Sequence, residues 1–144
     1  MKKVLTIICS MLLVAGAYAF EVNEKVLKSF KQTFASAEDI KWEEYKTYYT
    51  VSFMHSGIRS KVDYNKNGEI LGSIRYYSPE ILPLHIFSSL KYDFPNMDFH
   101  GVTEVTAKND VVYFVKIHDS KNWVTVKLDA SGNSSIYEKY RKAK

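Results

Sequence analysis

The tightest constraint in this chain is that one pattern, a helix followed by strands, is written twice. Val26, Leu27, Phe30 and Phe34 are apolar at i, i+1, i+4 and i+8, the spacing of one helix face. Sixty positions on stand Ile86, Phe87, Leu90 and Phe94, apolar at the same spacing. The run Val62-Asp63-Tyr64-Asn65-Lys66-Asn67-Gly68 is answered by Val126-Lys127-Leu128-Asp129-Ala130-Ser131-Gly132, now 64 positions on. The added four residues fall across a hairpin loop, where insertions are tolerated. The spacing gives two units, about 23–77 and 79–140, joined at Tyr76-Tyr77-Ser78-Pro79.

Within each unit the period changes from helical to alternating. Unit one is predicted to open with a helix near Asn23–Phe34, capped by Asn23. Strands follow at Ile40–Tyr45, with Ile40 and Trp42 on one face, and along Tyr49/Val51/Phe53, Ile58/Ser60/Val62/Tyr64 and Ile70/Ile74/Tyr76. Lys46-Thr47, His55-Ser56-Gly57 and Asn65-Lys66-Asn67-Gly68 are short enough for hairpins. In unit two, Ser78-Pro79 or Leu82-Pro83 starts the helix, since proline fits the first turn, and Pro95 stops it. Its strands fall near Phe99–Val105, Val111–His118, Trp123–Leu128 and Ser135–Tyr140. One apolar stripe per helix and one apolar face per sheet predict an α+β fold of two αββββ units in tandem. The helices pack on one face of an antiparallel sheet and the other face meets water. The pattern leaves open whether the units share one continuous sheet.

Residues 1–19 are expected to be removed. Lys2 and Lys3 precede an apolar run, Val4–Val14, and Ala17-Tyr18-Ala19 is a small-x-small cleavage site. This is the layout of a secretory signal peptide, and the run is too short for a span of about 20 apolar residues. The remainder, 20–144, is expected to form a single domain. Cys9, the only cysteine, leaves with the leader, so no disulfide, thiol nucleophile or cysteine metal ligand follows. The formal charge of +4 includes Lys2 and Lys3. What is left is nearly balanced, which argues against a nucleic-acid partner.

The helix end Phe34-Ala35-Ser36-Ala37 followed by Ile40-Lys41-Trp42, and its second copy Phe94-Pro95-Asn96-Met97, resemble the helix-to-strand step of exported PepSY-like proteins, also called beta-lactamase-inhibitor-protein-like. The resemblance covers nearly all of the exported chain. It implies two helices on a curved antiparallel sheet and a binding or inhibitory role, and brings no catalytic residues. Inhibitors of beta-lactamase proper carry disulfides, and this chain departs from them there.

Local motifs add little chemistry. Asp63-x-Asn65-x-Asn67-Gly68 opens like a calcium loop, but the twelfth position is Ile74 rather than a bidentate Glu, and Asn-x-Asn-Gly suits a hairpin. His55, His85, His100 and His118 form no HxH or HxxxH pair. Glu38-Asp39 and Glu43-Glu44 are neighbours in strands, so each pair points to opposite faces. Asn133-Ser134-Ser135 is a glycosylation triplet at a turn. No GxSxG elbow occurs. No enzyme activity, cofactor or metal is expected.

The aromatics are what a core does not absorb. If Val124, Val126 and Leu128 face the helices, Trp123, Thr125 and Lys127 face away. With Tyr113, Val115 and Ile117 inward, Val112, Phe114, Lys116 and His118 face out. With Ile136 and Tyr140 inward, Tyr137 and Lys139 face out, though this also turns Glu138 inward. Phe114, Trp123 and Tyr137, interleaved with Lys116, Lys127 and Lys139, are therefore predicted to cluster on the open face. In unit one the same alternation exposes Tyr45, Tyr48, Met54, Arg59, Lys61, Arg75 and Tyr77. Aromatics with Arg and Met are types enriched at protein interfaces. The alternative is that cross-strand aromatic pairs merely stabilise the sheet. The sequence thus points to an exported binding module that offers this face to a protein or peptide partner, such as an envelope enzyme it inhibits. A homodimer or scaffold built on the same face, and a carrier of a small ligand, are the rivals.

Overall fold

The computed structural model describes residues 21–143. The expected leader, 1–19, lies outside the described residues. Helix α1 (Glu24–Thr33) begins where its cap predicts: Asn23 Oδ1 accepts from the Lys25 N–H at 2.8 Å. Its apolar stripe buries Val26 and Phe30. The two prolines offered as alternative starts of the second helix both begin helical turns. Pro79 opens a short 3-10 turn (Pro79–Ile81), and Pro83 caps α2 (Leu84–Asp93). Ile86 and Leu90 of α2 are fully buried. Both helices end on phenylalanine: Phe34 donates its N–H to Phe30 O, and Phe94 to Leu90 O.

The strands are β1 (Glu38–Glu44), β2 (Tyr48–His55), β3 (Ile58–Asn65), β4 (Ile70–Tyr77), β5 (Asp98–Ala107), β6 (Asp110–His118), β7 (Asn122–Asp129) and β8 (Ser134–Arg141). They form one antiparallel sheet in chain order, β1 to β8. The question of continuity is answered by β4 and β5, which pair from Gly72↔Ala107 to Tyr77↔Val102.

The core lies on one side of this sheet in two clusters. Under α1 sit Tyr49, Val51, Phe53, Val62 and Tyr64; under α2 sit Val102, Tyr113, Val115, Ile117, Val124, Val126 and Leu128. Cross-strand partners share a face, so the ladder Ser60–Arg75–Glu104–Tyr113 shows that both helices lie on the same side. Each fully buried Ile, Leu or Val contributes roughly 1.5–3 kcal/mol. The hairpin turns lean on the helices. Gly68 and Gly132 have φ of +87° and +89°, and a Cβ there would stand 2.9 Å from Lys25 O and 2.9 Å from Ser89 Oγ. Asn65 Oδ1 accepts from the Asn67 and Glu69 N–H groups, and Asp129 Oδ1 from those of Ser131 and Asn133. The segment that opens like a calcium loop is thus a hairpin turn whose Asn65 is occupied by backbone.

Bulges overturn two predicted faces. In β4, Tyr64 pairs with Ile70 but Asp63 pairs with Gly72, leaving Leu71 as an extra residue. Parity flips there. Arg75 and Tyr77, expected on the open face, lie instead on the helix side, between the two clusters. Glu104 Oε1 accepts from Arg75 Nη1 at 3.1 Å, and Glu104 Oε2 accepts from the Tyr77 hydroxyl at 2.6 Å. In β8, Val126 pairs with Ile136 but Thr125 pairs with Glu138, so Tyr137 is the extra residue. Tyr140 therefore joins Trp123 on the open face, and Lys139 joins Val124 on the helix side, the reverse of the expected alternation. The bulge also releases Glu138 from the inward position that alternation gave it. Ile136 stays on the helix side but is 58% exposed.

Candidate functional site

The face away from the helices is covered by no described helix, and its residues follow from the same ladder. Across its middle run Met54, Arg59, Tyr76, Thr103, Phe114 and Lys127 as successive partners. Ile74, Val105 and Val112 form a parallel apolar row. Lys61 stands between Ser52 and Ile74 in that row. Phe114 meets Tyr137 edge to face at 5.1 Å, and Tyr137 is 66% exposed. Phe114, half-buried, and Tyr137 thus both lie on the face away from the helices. Two solvent-open depressions flank Tyr76. One, of about 360 Å³, is lined by Tyr76, His100, Gly101, Thr103, Phe114 and Lys116. The other, of about 580 Å³, is lined by Ser52, Met54, Gly57, Arg59, Lys61 and Tyr76. Gly101 forms part of the first floor, and a Cβ added there would meet nothing within 4 Å.

Toward the β5–β8 corner the surface becomes cationic and aromatic. The Trp123 ring is 4.5 Å from the His118 ring and 5.1 Å from that of His100. Lys116 Nζ is 5.0 Å and Lys142 Nζ 4.9 Å from the same indole. Lys116 also reaches Tyr140, at 5.7 Å. At the opposite edge Tyr45 stacks on Tyr48, with centroids 4.5 Å apart and planes 9° from parallel. The Tyr45 hydroxyl donates to Glu43, which raises its pKa.

Of the ten predicted binding residues, Phe114, Lys116, Trp123, Lys127, Tyr137 and Arg59 share the open face, Tyr48 extends it, and Tyr45 stacks on Tyr48. Arg75 and Tyr77 belong to the clamp on Glu104. Burial, then the bond to Glu104, pushes the Tyr77 hydroxyl far above the ordinary tyrosine range, as expected of a structural phenol. Tyr76, His100, Tyr140 and Lys142 were missed as face residues. A signal for the first two existed: Gly72 and Gly101 inside strands mark bulges. A Glu138 turned toward the core was the corresponding sign in β8.

Several of the other polar groups are committed locally. Asp63 accepts from Thr50 at 2.6 Å. His85 Nε2 lies 3.1 Å from Ala130 O, and His55 Nδ1 3.3 Å from Ser36 Oγ. Among the described residues, no group of three or more His, Cys, Asp or Glu side chains is placed to hold a metal ion. No described helix is long and apolar enough to cross a membrane.

No protein-family model and no curated protein sequence matches the chain. Solved structures do. A BLIP-like protein of Bacteroides fragilis superposes with a TM-score of 0.61 at 17% identity, covering 85% of this chain and 87% of that one. A DUF2874 family protein of Bacteroides ovatus gives a TM-score of 0.61 at 16% identity, covering 85% and 89%. A protein of Bacteroides eggerthii provisionally described as periplasmic gives 0.60 at 15%, covering 85% and 90%. At these identities the likeness defines the fold: the chain has the BLIP-like architecture of two helices on one open eight-stranded sheet.

Proposed function

We propose that this protein is an exported, non-enzymatic binding module that uses the open face of its sheet to hold a protein or peptide partner. One observation carries the reading: aromatic rings run from Tyr76 through Phe114 to Tyr137, Trp123 and Tyr140 on the face no described helix covers. Tyr76, Tyr137 and Tyr140 are exposed and Phe114 and Trp123 half-buried, and contiguous exposed apolar surface marks interaction sites. The depressions are shallow and open, which suits side chains of a partner better than an engulfed small molecule. Export by a leader cleaved near Ala19 fits both the first residues and the periplasmic description of the Bacteroides eggerthii neighbour. Inhibition of an envelope enzyme is the version that the BLIP-like neighbours favour. The doubled order of helix and four strands is consistent with a duplicated unit.

The test is capture from envelope extract by wild type, Gly101→Trp and Trp123→Ala, followed by reconstitution with the purified partner. A Cβ at Gly101 meets nothing within 4 Å, so Gly101→Trp can direct its indole into the first depression; with an unchanged urea midpoint as the check on folding, it is expected to lose the partner at least tenfold. Full retention by both variants excludes this face. Self-association through the same face is the second reading. Light scattering would then show a dimer that Gly101→Trp dissociates.

A further inference from the structure

We infer that the corner around Trp123 is a pH-gated anion site that takes a carboxylate-bearing, acidic segment of the partner, tightening as the medium acidifies. The inference deepens the proposed function and rests on its assignment of the open face. Four groups that carry or accept positive charge converge on one indole: Lys116, Lys142, His100 and His118, the histidine rings 4.5 and 5.1 Å and the ammonium groups about 5 Å from it. They come from β5, β6 and the segment after β8, so the sheet assembles them and no one strand does. Histidine is the side chain that changes charge between pH 5 and 8.

Lys142 carries the gate. Its backbone N–H donates to Lys121 O at 2.8 Å, which fixes it beside the β6–β7 turn. Its Nζ lies 3.2 Å from His118 Nδ1. An ammonium has protons alone to offer, so His118 must accept through an unprotonated Nδ1. Protonating His118 removes that acceptor and sets two cations against each other. An anion placed between them relieves the repulsion, so anion binding and proton uptake favour one another. The acids near the corner do not already fill this role. Asp98 is the cross-strand partner of His118 and Glu138 stands opposite Thr125; neither makes an ion pair with the four groups. Asp119 accepts from the Lys121 and Asn122 N–H groups at 2.7 and 2.6 Å. Trp123 and Tyr140 supply flat apolar walls beside the charges. Such a surface suits a carboxylate flanked by hydrocarbon.

The experiment is calorimetric titration of the protein with an acetylated, amidated tetra-aspartate peptide in low salt. Aspartate stays ionised over pH 5.5–7.5, so any pH dependence belongs to the protein. Affinity is expected to rise about tenfold from pH 7.5 to 5.5, the order given by two added charges at about 5 Å. Buffers of different ionisation heat should report proton uptake on binding. His100→Gln/His118→Gln should lose the pH dependence, whatever affinity remains being the same at pH 7.5 and 5.5. No binding at either pH, equal affinity at both, or a pH dependence that survives the double variant overturns the inference. If the peptide fails while Gly101→Trp still abolishes partner capture, the anion site alone falls. If both fail, the face itself is not the binding surface.

Discussion

Gly68 and Gly132 are held by what surrounds them, Gly101 by what it leaves open. The first two adopt positive φ and press against α1 and α2, so a methyl group there meets both a strained backbone and a helix. Gly68→Ala is expected to cost about 1–3 kcal/mol, because the obstructing atom is a helix carbonyl that cannot swing aside. Gly101→Ala should change stability by no more than about 0.5 kcal/mol. Urea midpoints of the two variants separate these outcomes. The turn carboxylates give the acid response. Hydrogen bonds from Asn133, side chain first and then backbone N–H, hold Asp129 below the usual carboxylate range; backbone N–H groups of Lys121 and Asn122 do the same for Asp119. A lowered folded-state pKa stabilises above the unfolded value of about 3.9 and is lost as pH falls through the folded one. The urea midpoint should therefore decline below about pH 4, and Asp119→Asn/Asp129→Asn should flatten that decline.

At the scale of elements, periodicity was enough to place both helices and all eight strands near their observed limits, because each carries its own apolar stripe and its own turn. It misassigned faces where a strand takes in one extra residue. Leu71 and Tyr137 are themselves ordinary strand residues, marked only indirectly by the neighbouring Gly72 and by a Glu138 that alternation turns inward, yet each reverses every side chain beyond it. That is why Arg75 and Tyr77 were expected among the binding residues and became the clamp on Glu104, while Tyr76 and Tyr140 took the open face. The Trp123 corner was illegible for another reason: His100, Lys116 and Lys142 meet through the pairing of four strands, β5 to β8, which spacing along the chain does not encode. The clamp makes its own prediction. The Glu104 side chain is 13% exposed and serves two donors. Glu104→Ala leaves the half-buried Tyr77 hydroxyl unpaired and should cost about 1–3 kcal/mol. Tyr77→Phe removes one bond and leaves Glu104 with Arg75, so about 0.5–1.5 kcal/mol is expected. Chemical denaturation of both variants checks the order.

Across the whole molecule, two separate cores share one sheet, and their coupling passes through the β4–β5 ladder with the Arg75–Glu104–Tyr77 clamp beside it. The two tryptophans report on opposite halves. Trp42 packs edge-on to Phe30 of α1 at 5.3 Å, whereas Trp123 lies on β7, whose next residue, Val124, is in the α2 core. Trp123→Phe leaves Trp42 to report the first half, and Trp42→Phe leaves Trp123 to report the second. Six residue pairs between β4 and β5 tie the halves, so the two urea curves should coincide, as one cooperative transition requires. Leu90→Ala empties part of the α2 core at a cost of about 2–5 kcal/mol. With the clamp intact, both curves should move to lower urea together. With Glu104→Ala added, the Trp123 curve should fall ahead of the Trp42 curve, because the weakened half can then open without carrying its neighbour. Coincident curves in the double variant would mean that the backbone ladder alone transmits the coupling and that Glu104 serves its own strand pair and nothing larger.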